Sequence, residues 1–265
     1  MSNIIVLIPY YNNLIGLQKT IASIKEDIVI DILVIDDGST KKLEKSDIEF
    51  KGHIFLKFLK TNSGIGEALN VGLDFAVEKK YEYIGRLDCG DLCHENKFTK
   101  QLEYLHKNSD IKLLGAWARI IDEKGMFKYN LKHPTEYKRI QRDMYKNSMF
   151  IHPTVIIKTE IIPLIGKYPY KYRRAAQDYA FFFSITRQFR SENYPEILLD
   201  YVMSKDSISH KNRKLQVYHR INILIDNFYF GFTPIYSLLR NLILLITPLK
   251  ILTFIKTKTY KWDSL

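Results

Sequence analysis

Four short apolar segments, each followed directly by a cluster of polar residues, constrain the fold of this chain more than any other feature. They occupy residues 4–8, 30–35, 53–59 and 83–87. Residues 14–24 and 68–77 lie between them with the apolar spacing of helices, and a further helical segment follows at 96–107. This alternation predicts an α/β fold with a mostly parallel central sheet and helices on both faces.

The polar clusters follow the carboxyl ends of the predicted strands, where open α/β sheets collect their ligands. In a parallel sheet these ends share one edge. Each cluster alone has an ordinary explanation, because aspartate and asparagine form turns and cap helices, and glycine relieves the backbone. Four clusters at one edge favour a site for a polar, phosphorylated ligand. They are Pro9-Tyr10-Tyr11-Asn12, Asp36-Asp37-Gly38, Asn62-Ser63-Gly64 and Arg86-Leu87-Asp88-Cys89-Gly90-Asp91.

Composition limits the number of domains and indicates the cellular compartment. The chain has 265 residues and is 46% hydrophobic, enough for one large α/β domain, alone or with a C-terminal appendage. Cys89 and Cys93 have no second pair, so the sequence predicts a reducing compartment rather than a disulfide framework or a zinc ribbon. The N-terminus lacks the basic lead and cleavage site of a secretory signal. We therefore expect the body of the protein in the cytoplasm.

Positive charge is concentrated near the C-terminus. The net charge is +11, and residues 211–265 hold nine basic residues against two acidic ones. The apolar stretches there are interrupted by Arg240, Pro248 and Lys250, so none is long enough to span a bilayer. This pattern predicts a helical extension lying on an anionic membrane surface at the inner face of the cell membrane. A helix pair packed on the core is the alternative. Nucleic acid is not expected as a partner, since basic and aromatic residues do not interleave along a recognisable binding module.

The ordered motifs of this chain resemble those of the family 2 inverting glycosyltransferases, which have the nucleotide-sugar-binding fold called GT-A. The resemblance covers residues 3–210 and implies a GT-A glycosyltransferase domain at residues 1–210, followed by a helical extension at 211–265. The motifs that carry it are Pro9-Tyr10-Tyr11-Asn12, Asp36-Asp37-Gly38-Ser39, residues 62–72, Arg86-Leu87-Asp88, His152-Pro153-Thr154, Gly166-Lys167-Tyr168, Gln177-Asp178-Tyr179 and Ser207-Ile208-Ser209.

The resemblance implies a nucleotide-diphosphate sugar as donor, and we expect a UDP-sugar. A planar base can stack on Tyr11 while Asp37 accepts from its imide N–H, and backbone N–H groups at residues 62–64 can approach phosphate oxygens. The resemblance also implies that Asp88 lies near the ribose or diphosphate and that Arg86 supports the phosphates. The donor-binding residues carried over onto this sequence are Pro9, Tyr11, Asn12, Asp37, Asn62, Gly64, Arg86 and Asp88.

The chain departs from the family at the metal site. Gly90 stands where the usual Asp-x-Asp motif has its second, metal-holding aspartate, and Asp91 follows it. One interpretation is that Asp88 and Asp91 together hold Mg²⁺ or Mn²⁺, the glycine letting the backbone bend. The other is that no metal is held tightly and that Arg86 or another base neutralises the diphosphate. We expect the first, because hard oxygen ligands favour these two cations over zinc.

The second half of the chain is expected to supply the acceptor side. The family match makes Asp178 the general base that takes the proton from the attacking hydroxyl. Its position at a helix start is also that of an ordinary capping aspartate. Weaker candidates for acceptor or diphosphate contacts are His152, Arg173, Arg174 and Gln177. The arginine and histidine that many relatives carry near residues 202–204 are missing here, so a late histidine contact to the diphosphate or metal is not expected.

These observations predict an inverting glycosyltransferase that moves one sugar from a nucleotide diphosphate to a carbohydrate acceptor. The basic, apolar C-terminus predicts a lipid-linked oligosaccharide acceptor in bacterial surface-polysaccharide synthesis, such as O-antigen, capsule or lipooligosaccharide. Two alternatives are open. A nucleotidyltransferase shares the sheet architecture, and a sugar-nucleotide-binding pseudoenzyme that scaffolds a membrane complex would account for Gly90.

Overall fold

The computed structural model describes residues 2–203 and 213–247, which form a nine-stranded sheet flanked by helices. The strands are β1 (Ile4–Tyr10), β2 (Asp31–Asp36), β3 (Ile54–Phe58), β4 (Tyr83–Arg86), β5 (Leu92–Cys93), β6 (Leu113–Asp122), β7 (Phe127–Leu131), β8 (Ile156–Lys158) and β9 (Ser191–Met203). The helices are α1 (Leu14–Ser23), α2 (Ile65–Glu78), α3 (Lys97–Lys107), α4 (Tyr137–Asp143), α5 (Ile162–Ile165), α6 (Gln177–Gln188), α7 (Arg213–Asp226) and α8 (Phe232–Ile246).

The sheet is parallel in its first half and mixed in its second. The strand order is β3-β2-β1-β4-β8-β6-β9-β5, and β7 pairs with β6. Strands β3, β2, β1 and β4 run parallel. Strand β8 then pairs antiparallel with β4 and β6, whereas β6 and β9 run parallel. The predicted α/β fold is confirmed, and the four predicted strands are those of the parallel half.

Alternation along the strands divides the core between the two faces of the sheet. Successive side chains of a strand point to opposite faces, so Ile5 and Leu7 of β1 pack in one apolar cluster with α2 and α6. Ile4, Val6 and Ile8 pack in another cluster with α1 and α3. Because every residue of β1 and β2 is buried, the polar loops that follow these strands start from rigid positions.

Helix α7 is part of the core. Ile223 and Leu224 are 1% and 0% exposed and belong to the same apolar cluster as Phe181 of α6. The Asp226 carboxylate at the end of α7 also accepts a hydrogen bond from the Tyr172 hydroxyl at 2.8 Å. Packing on the core, the alternative considered for the C-terminal segment, therefore describes α7. The proposed boundary at residues 210 and 211 and the motif Ser207-Ile208-Ser209 lie outside the described residues.

Helix α8 has the opposite arrangement, because its apolar face is turned to solvent. Ser237 and Asn241 on its inner face are each 0% exposed. Its exposed large apolar residues are Phe232, Ile235, Tyr236, Leu239, Leu242, Ile243 and Ile246, with exposures from 46% to 84%. Their spacing of three and four residues places them on one side of the helix. Within residues 2–203 and 213–247, every helix falls short of the length and apolarity needed to cross a bilayer.

Candidate active site

The loops that follow β2 and β3 are joined by a network around Asp37. Its two carboxylate oxygens accept hydrogen bonds from the backbone N–H groups of Ser63 (2.8 Å) and Gly64 (2.9 Å). Burial raises the pKa of Asp37, and these two hydrogen bonds oppose that shift. The sequence suggested these two backbone N–H groups as donors to phosphate oxygens. In the structure they donate to Asp37 instead. Its carboxylate still has lone pairs free, since each oxygen can accept two hydrogen bonds.

The residues expected to surround the base lie together at this edge of the sheet. Pro9 is buried within β1, whereas the Tyr11 ring is 49% exposed and open to stacking. Asn12 has a φ of +49°, and its side-chain oxygen accepts from the Thr40 N–H at 2.9 Å. Asn62 is exposed on the facing loop. The predicted convergence of the strand ends is thus present in the structure.

Gly38 lets the loops after β2 and β3 approach closely. Its φ is +73°, and a Cβ atom there would lie 2.5 Å from the backbone carbon of Thr61. Any other residue would meet both a strained backbone and a clash with main-chain atoms. The glycine therefore holds the Asn62 loop against the end of β2.

Arg86 has a different environment from the one expected. Its side chain is 3% exposed, and Nη2 donates to Asp88 Oδ1 at 2.7 Å. Nη1 donates to the Leu87 carbonyl, and Nε donates to His152 Nε2 at 3.3 Å. A guanidinium with these contacts fixes the Asp88 side chain, which is 28% exposed at the site. The contacts present make Arg86 a support for Asp88 rather than an open phosphate ligand.

His152 links Arg86 to Tyr168 in the second half of the chain. Its Nε2 lies 2.9 Å from the Tyr168 hydroxyl, and the Tyr168 ring stacks on Phe181 of α6 with centroids 4.2 Å apart. Burial and the nearby Arg86 charge hold the pKa of His152 well below its usual range. The imidazole, whose neutral form is favoured, connects Arg86 of β4 to Tyr168 by hydrogen bonds, and Tyr168 in turn contacts α6 through ring stacking.

The Asp88–Asp91 loop is tied to α1 by Thr20. The Thr20 hydroxyl accepts from the Gly90 N–H and donates to the Asp91 carbonyl, both at 2.8 Å. Gly90 has a φ of +112°, a conformation that favours glycine. The turn directs the Asp91 side chain towards β9, where its Oδ1 accepts from the Val202 N–H at 2.8 Å.

Asp91 is the more deeply buried member of the candidate metal pair. It is 4% exposed, and its Oδ2 is buried without a hydrogen-bond partner. Burial, followed by the charge of Asp88, raises the pKa of Asp91 well above its usual range. Within the described parts of the chain no group of three or more metal-ligating side chains is present. Two carboxylates nonetheless fit Mg²⁺ or Mn²⁺, which complete their shell with substrate phosphates and water. The unpaired buried oxygen of Asp91 and the carboxylate of Asp88 would supply the protein's part of that shell.

Asp178 lies in the first turn of α6, as the sequence predicts. Burial raises the pKa of this carboxyl, while a hydrogen bond from the Tyr179 N–H and the Arg220 charge oppose the shift. Gln177 beside it is 8% exposed, and its Oε1 is buried without a partner. The Gln177 side chain packs against Gly66 at the start of α2, where a Cβ atom would lie 3.4 Å from it, an ordinary contact distance.

Two tyrosines lie within electrostatic reach of both Asp88 and Asp178. Burial raises the pKa of Tyr201 on β9, and the charges of Asp88, Asp91 and Asp178 add to the shift. Burial likewise raises the pKa of Tyr168, with contributions from Asp178 and Asp88. Both rings thus lie within electrostatic reach of the carboxylates at the two ends of the candidate site.

The two remaining weak candidates lie on the loop before α6. Arg173 places its guanidinium carbon 4.0 Å from the centre of the Tyr170 ring, and Arg174 is exposed. Neither forms an ion pair within residues 2–203 and 213–247. They are available to a ligand, but the structure does not bring them into the network of Arg86 and His152.

Comparison with known proteins decides the family. The family model described as glycosyl transferase family 2 matches residues 5–163. The chain belongs to glycosyltransferase family 2. This glycosyltransferase is 31% identical over 265 residues to an uncharacterized glycosyltransferase of Methanocaldococcus jannaschii, covering 91% of this chain and 89% of the relative. It is 26% identical over 197 residues to the Escherichia coli UDP-Gal:alpha-D-GlcNAc-diphosphoundecaprenol beta-1,3-galactosyltransferase, covering 72% and 70% of the two chains.

Solved structures confirm the GT-A fold of this glycosyltransferase. Residues 1–349 of Staphylococcus aureus TarS in complex with UDP superpose with a TM-score of 0.62 at 16% identity, covering 94% of this chain and 76% of that one. The chain spans 42% of the longer TarS structure. The Pyrobaculum calidifontis mannosyltransferase PcManGT, in complex with GDP-Man and Mn²⁺, gives a TM-score of 0.63 at 14% identity, covering 98% and 80%.

Three side chains at the site of this glycosyltransferase were not identified from the sequence. Thr20 is an ordinary helix residue by pattern, and only the fold shows that it anchors the Asp88–Asp91 loop. Tyr201 is an aromatic residue on a strand that ends near the site, and that position is the signal that could have identified it as a site residue. Arg220 carries no motif, and its position depends on how α7 packs.

Proposed function

We propose that this glycosyltransferase transfers one sugar, with inversion, from a nucleotide-diphosphate sugar to a hydroxyl of a lipid-linked carbohydrate acceptor. The observation that carries the proposal is that the carboxylates of Asp88, which follows β4, and Asp178, at the start of α6, both lie within electrostatic reach of Tyr168 and Tyr201. An acceptor held near Asp178 would thereby meet a donor held near Asp88. The names of the E. coli relative and of TarS with UDP support a uridine nucleotide as donor.

The chemistry requires one base and one stabilised leaving group. The acceptor hydroxyl oxygen forms a bond to the anomeric carbon as the bond from that carbon to the phosphate oxygen breaks, and nucleoside diphosphate leaves. Asp178 accepts the hydroxyl proton in this step. Its raised pKa makes it a stronger base than an exposed aspartate, although it must be ionised before it can act.

Donor recognition is divided among the first three strand ends. We assign base stacking to the exposed Tyr11 ring and acceptance of a base N–H to the free lone pairs of Asp37, which also holds the Gly64 loop. Asn12 and Asn62 lie on the loops that border this space. Arg86 fixes Asp88 towards the ribose and diphosphate.

A divalent cation, Mg²⁺ or Mn²⁺, fits the same site, with Asp88 and the unpaired Oδ2 of Asp91 as its protein ligands. When bound, it would neutralise charge on the diphosphate. The support from this chain is the buried unpaired oxygen, and PcManGT, whose structure contains Mn²⁺, has the same fold.

Asp91→Asn tests the cation site without relying on turnover. Asparagine keeps the oxygen that accepts from Val202 but removes the charge, so we expect Mn²⁺ to raise the melting temperature of the unaltered protein and not of the variant. Asp226→Asn is the matched control, because that carboxylate pairs with Lys171 at the surface and should leave the Mn²⁺ effect intact. An Mn²⁺ stabilisation that survives in Asp91→Asn would refute the role of Asp91.

The exposed face of α8 supports attachment to an anionic membrane surface. Arg240 donates to the Lys146 carbonyl at 3.1 Å, which places α8 beside a segment where Arg139, Arg142 and Lys146 share the single carboxylate of Asp143. An apolar helix face flanked by excess positive charge suits the interface of an anionic leaflet. The lysines at 250, 256, 258 and 261 lie outside the described residues and add charge by sequence.

Vesicle binding checks this attachment. The triple variant Leu239→Gln, Ile243→Gln, Ile246→Gln should bind phosphatidylglycerol-containing vesicles at least about tenfold more weakly than the unaltered protein, since each side chain loses its transfer into lipid. Ile15→Gln with Leu164→Gln is the control, because these residues are 69% and 68% exposed but lie outside α8. Equal loss in both variants, or binding only to neutral vesicles, would contradict attachment through α8.

The overall proposal is tested by a panel of UDP-, GDP- and dTDP-sugars, measuring binding by calorimetry and release of nucleoside diphosphate with a lipid-linked acceptor extract. Release of nucleoside diphosphate from one donor is the expected result. Binding without release, with or without acceptor, would favour the scaffold alternative. Release of inorganic diphosphate from a nucleoside triphosphate would favour a nucleotidyltransferase.

A further inference from the structure

Arg220 of α7 has no partner among the described residues. Its side chain is half-buried, and it forms no hydrogen bond or ion pair with any residue of 2–203 or 213–247. Burial lowers the pKa of Arg220, while Tyr179 and Asp178 act in the opposite direction. Placing a guanidinium partly out of water without hydrogen bonds costs free energy. Such an arrangement is expected where a ligand supplies the missing acceptors.

The packing of α7 holds Arg220 at the start of α6. Val217 and Leu224, three residues before and four after it, are 5% and 0% exposed, so Arg220 lies on the inward face of the helix. The neighbouring His219 ring nitrogen Nδ1 lies within hydrogen-bond distance of the Ala175 carbonyl, at 2.8 Å. Ala175 is three residues before Asp178, and this contact fixes the turn of α7 that holds Arg220 within electrostatic reach of Asp178.

The surrounding charges favour an anion rather than a second structural role. Arg240 of α8 is close enough for its charge to act on both Arg220 and Tyr179. Arg220 therefore has a second positive charge, that of Arg240, within electrostatic reach, in addition to the Asp178 carboxylate. Arg86 is already occupied by Asp88 and His152, so it does not supply this function. Arginine binds phosphate oxygens through paired, charge-assisted hydrogen bonds.

We propose that Arg220 binds a phosphate group of the reacting substrates next to Asp178. This inference rests on the proposed function. The diphosphate can come from either substrate: it is the leaving group of the donor, or it links sugar and lipid in the acceptor. In both cases the C-terminal helices complete the site.

Calorimetry on the full chain with two probes tests the proposal. UDP represents the donor diphosphate, and farnesyl diphosphate represents a prenyl-diphosphate acceptor. Arg220→Gln should weaken binding of at least one probe by about ten- to a hundredfold, the loss expected for hydrogen bonds to a charged group. Uridine, which has no phosphate, should bind as before. Lys214→Gln is the control, since Lys214 is an exposed cation on the same helix. Arg220→Lys should recover part of the affinity because it restores charge without the paired geometry.

The outcomes distinguish donor phosphate from acceptor phosphate, and they separate the role of Arg220 from the proposed function. A loss confined to UDP assigns Arg220 to the donor, and a loss confined to farnesyl diphosphate assigns it to the acceptor; either supports phosphate binding. Unchanged affinity for both probes in a folded Arg220→Gln variant overturns the inference but leaves the proposed function standing. An equal loss for uridine would indicate general damage and also overturns it. If the unaltered protein binds neither nucleotides nor donor sugars, the proposed function itself fails.

Discussion

Replacing Asp178 with asparagine should lower the rate of sugar transfer by about 10²–10⁴-fold, the range that a positioned general base contributes. Asparagine preserves the shape of the side chain in the first turn of α6 but does not accept the hydroxyl proton. Donor affinity should stay nearly unchanged, because the donor-binding residues lie on other strand ends. Nucleoside diphosphate release and donor calorimetry, measured on the same preparation, separate these two effects.

The pH dependence of transfer gives an independent check on Asp178. A base acts in its ionised form, so the rate should rise with pH through the pKa of this carboxyl, and burial places that rise above the range of an exposed aspartate. The acidic limb should be absent from the residual activity of Asp178→Asn. Asp74→Asn serves as control, because Asp74 pairs with Lys167 and is 63% exposed. Full turnover in Asp178→Asn would rule out its role as the base.

Arg86→Met should cause the second large effect. Removing a buried guanidinium leaves Asp88 and His152 without their shared donor, and breaking a buried ion pair in this way costs about 3–5 kcal/mol. Because Asp88 is 28% exposed, we expect a loss of about 3 kcal/mol in the free energy of unfolding, at the lower end of that range. Transfer should fall at least about a hundredfold, since a small displacement of a positioning group carries such a penalty.

A second arginine of the chain shows whether this loss is specific. Arg190 pairs with Asp110 and Glu192 but is 41% exposed, so Arg190→Met should cost no more than about 1 kcal/mol. Its transfer rate should match that of the unaltered protein. Urea unfolding and donor turnover on both variants provide the measurement. If Arg86→Met unfolds no more readily than Arg190→Met, the buried network around Asp88 does not stabilise the fold more than a surface ion pair does.

The donor half of the molecule could be predicted from sequence because its signals are local. Each apolar run of the parallel half ends in its own polar loop, and parallel strands necessarily bring those loops to one edge. The orientation of side chains within the loops could not be predicted. The N–H groups of Ser63 and Gly64 were expected to be free and are bound to Asp37. Arg86 was expected to support the phosphates, and its pairing with Asp88 and contact with His152 were not predicted.

The second half of the candidate site was harder to predict from the sequence, because its contacts join segments far apart in the chain. The network from Arg86 through His152 to Tyr168 spans residues 86–168, and no sequence spacing reveals it. The antiparallel strand β8 next to β4 was also missed, since a three-residue strand carries too little periodicity to recognise. The position of Asp178 was predictable because a helix start and a family motif coincide there.

The burial of Ile223 and Leu224 of α7 against α6 has a consequence for how such enzymes diversify. A segment that fills the core and reaches the start of α6 is not an interchangeable module. Exchanging the C-terminal helices between relatives would require matching changes in the apolar surface around Phe181. The interior that keeps the enzyme folded and the turn of α7 that contacts Ala175, just before α6, therefore constrain each other in this part of the chain.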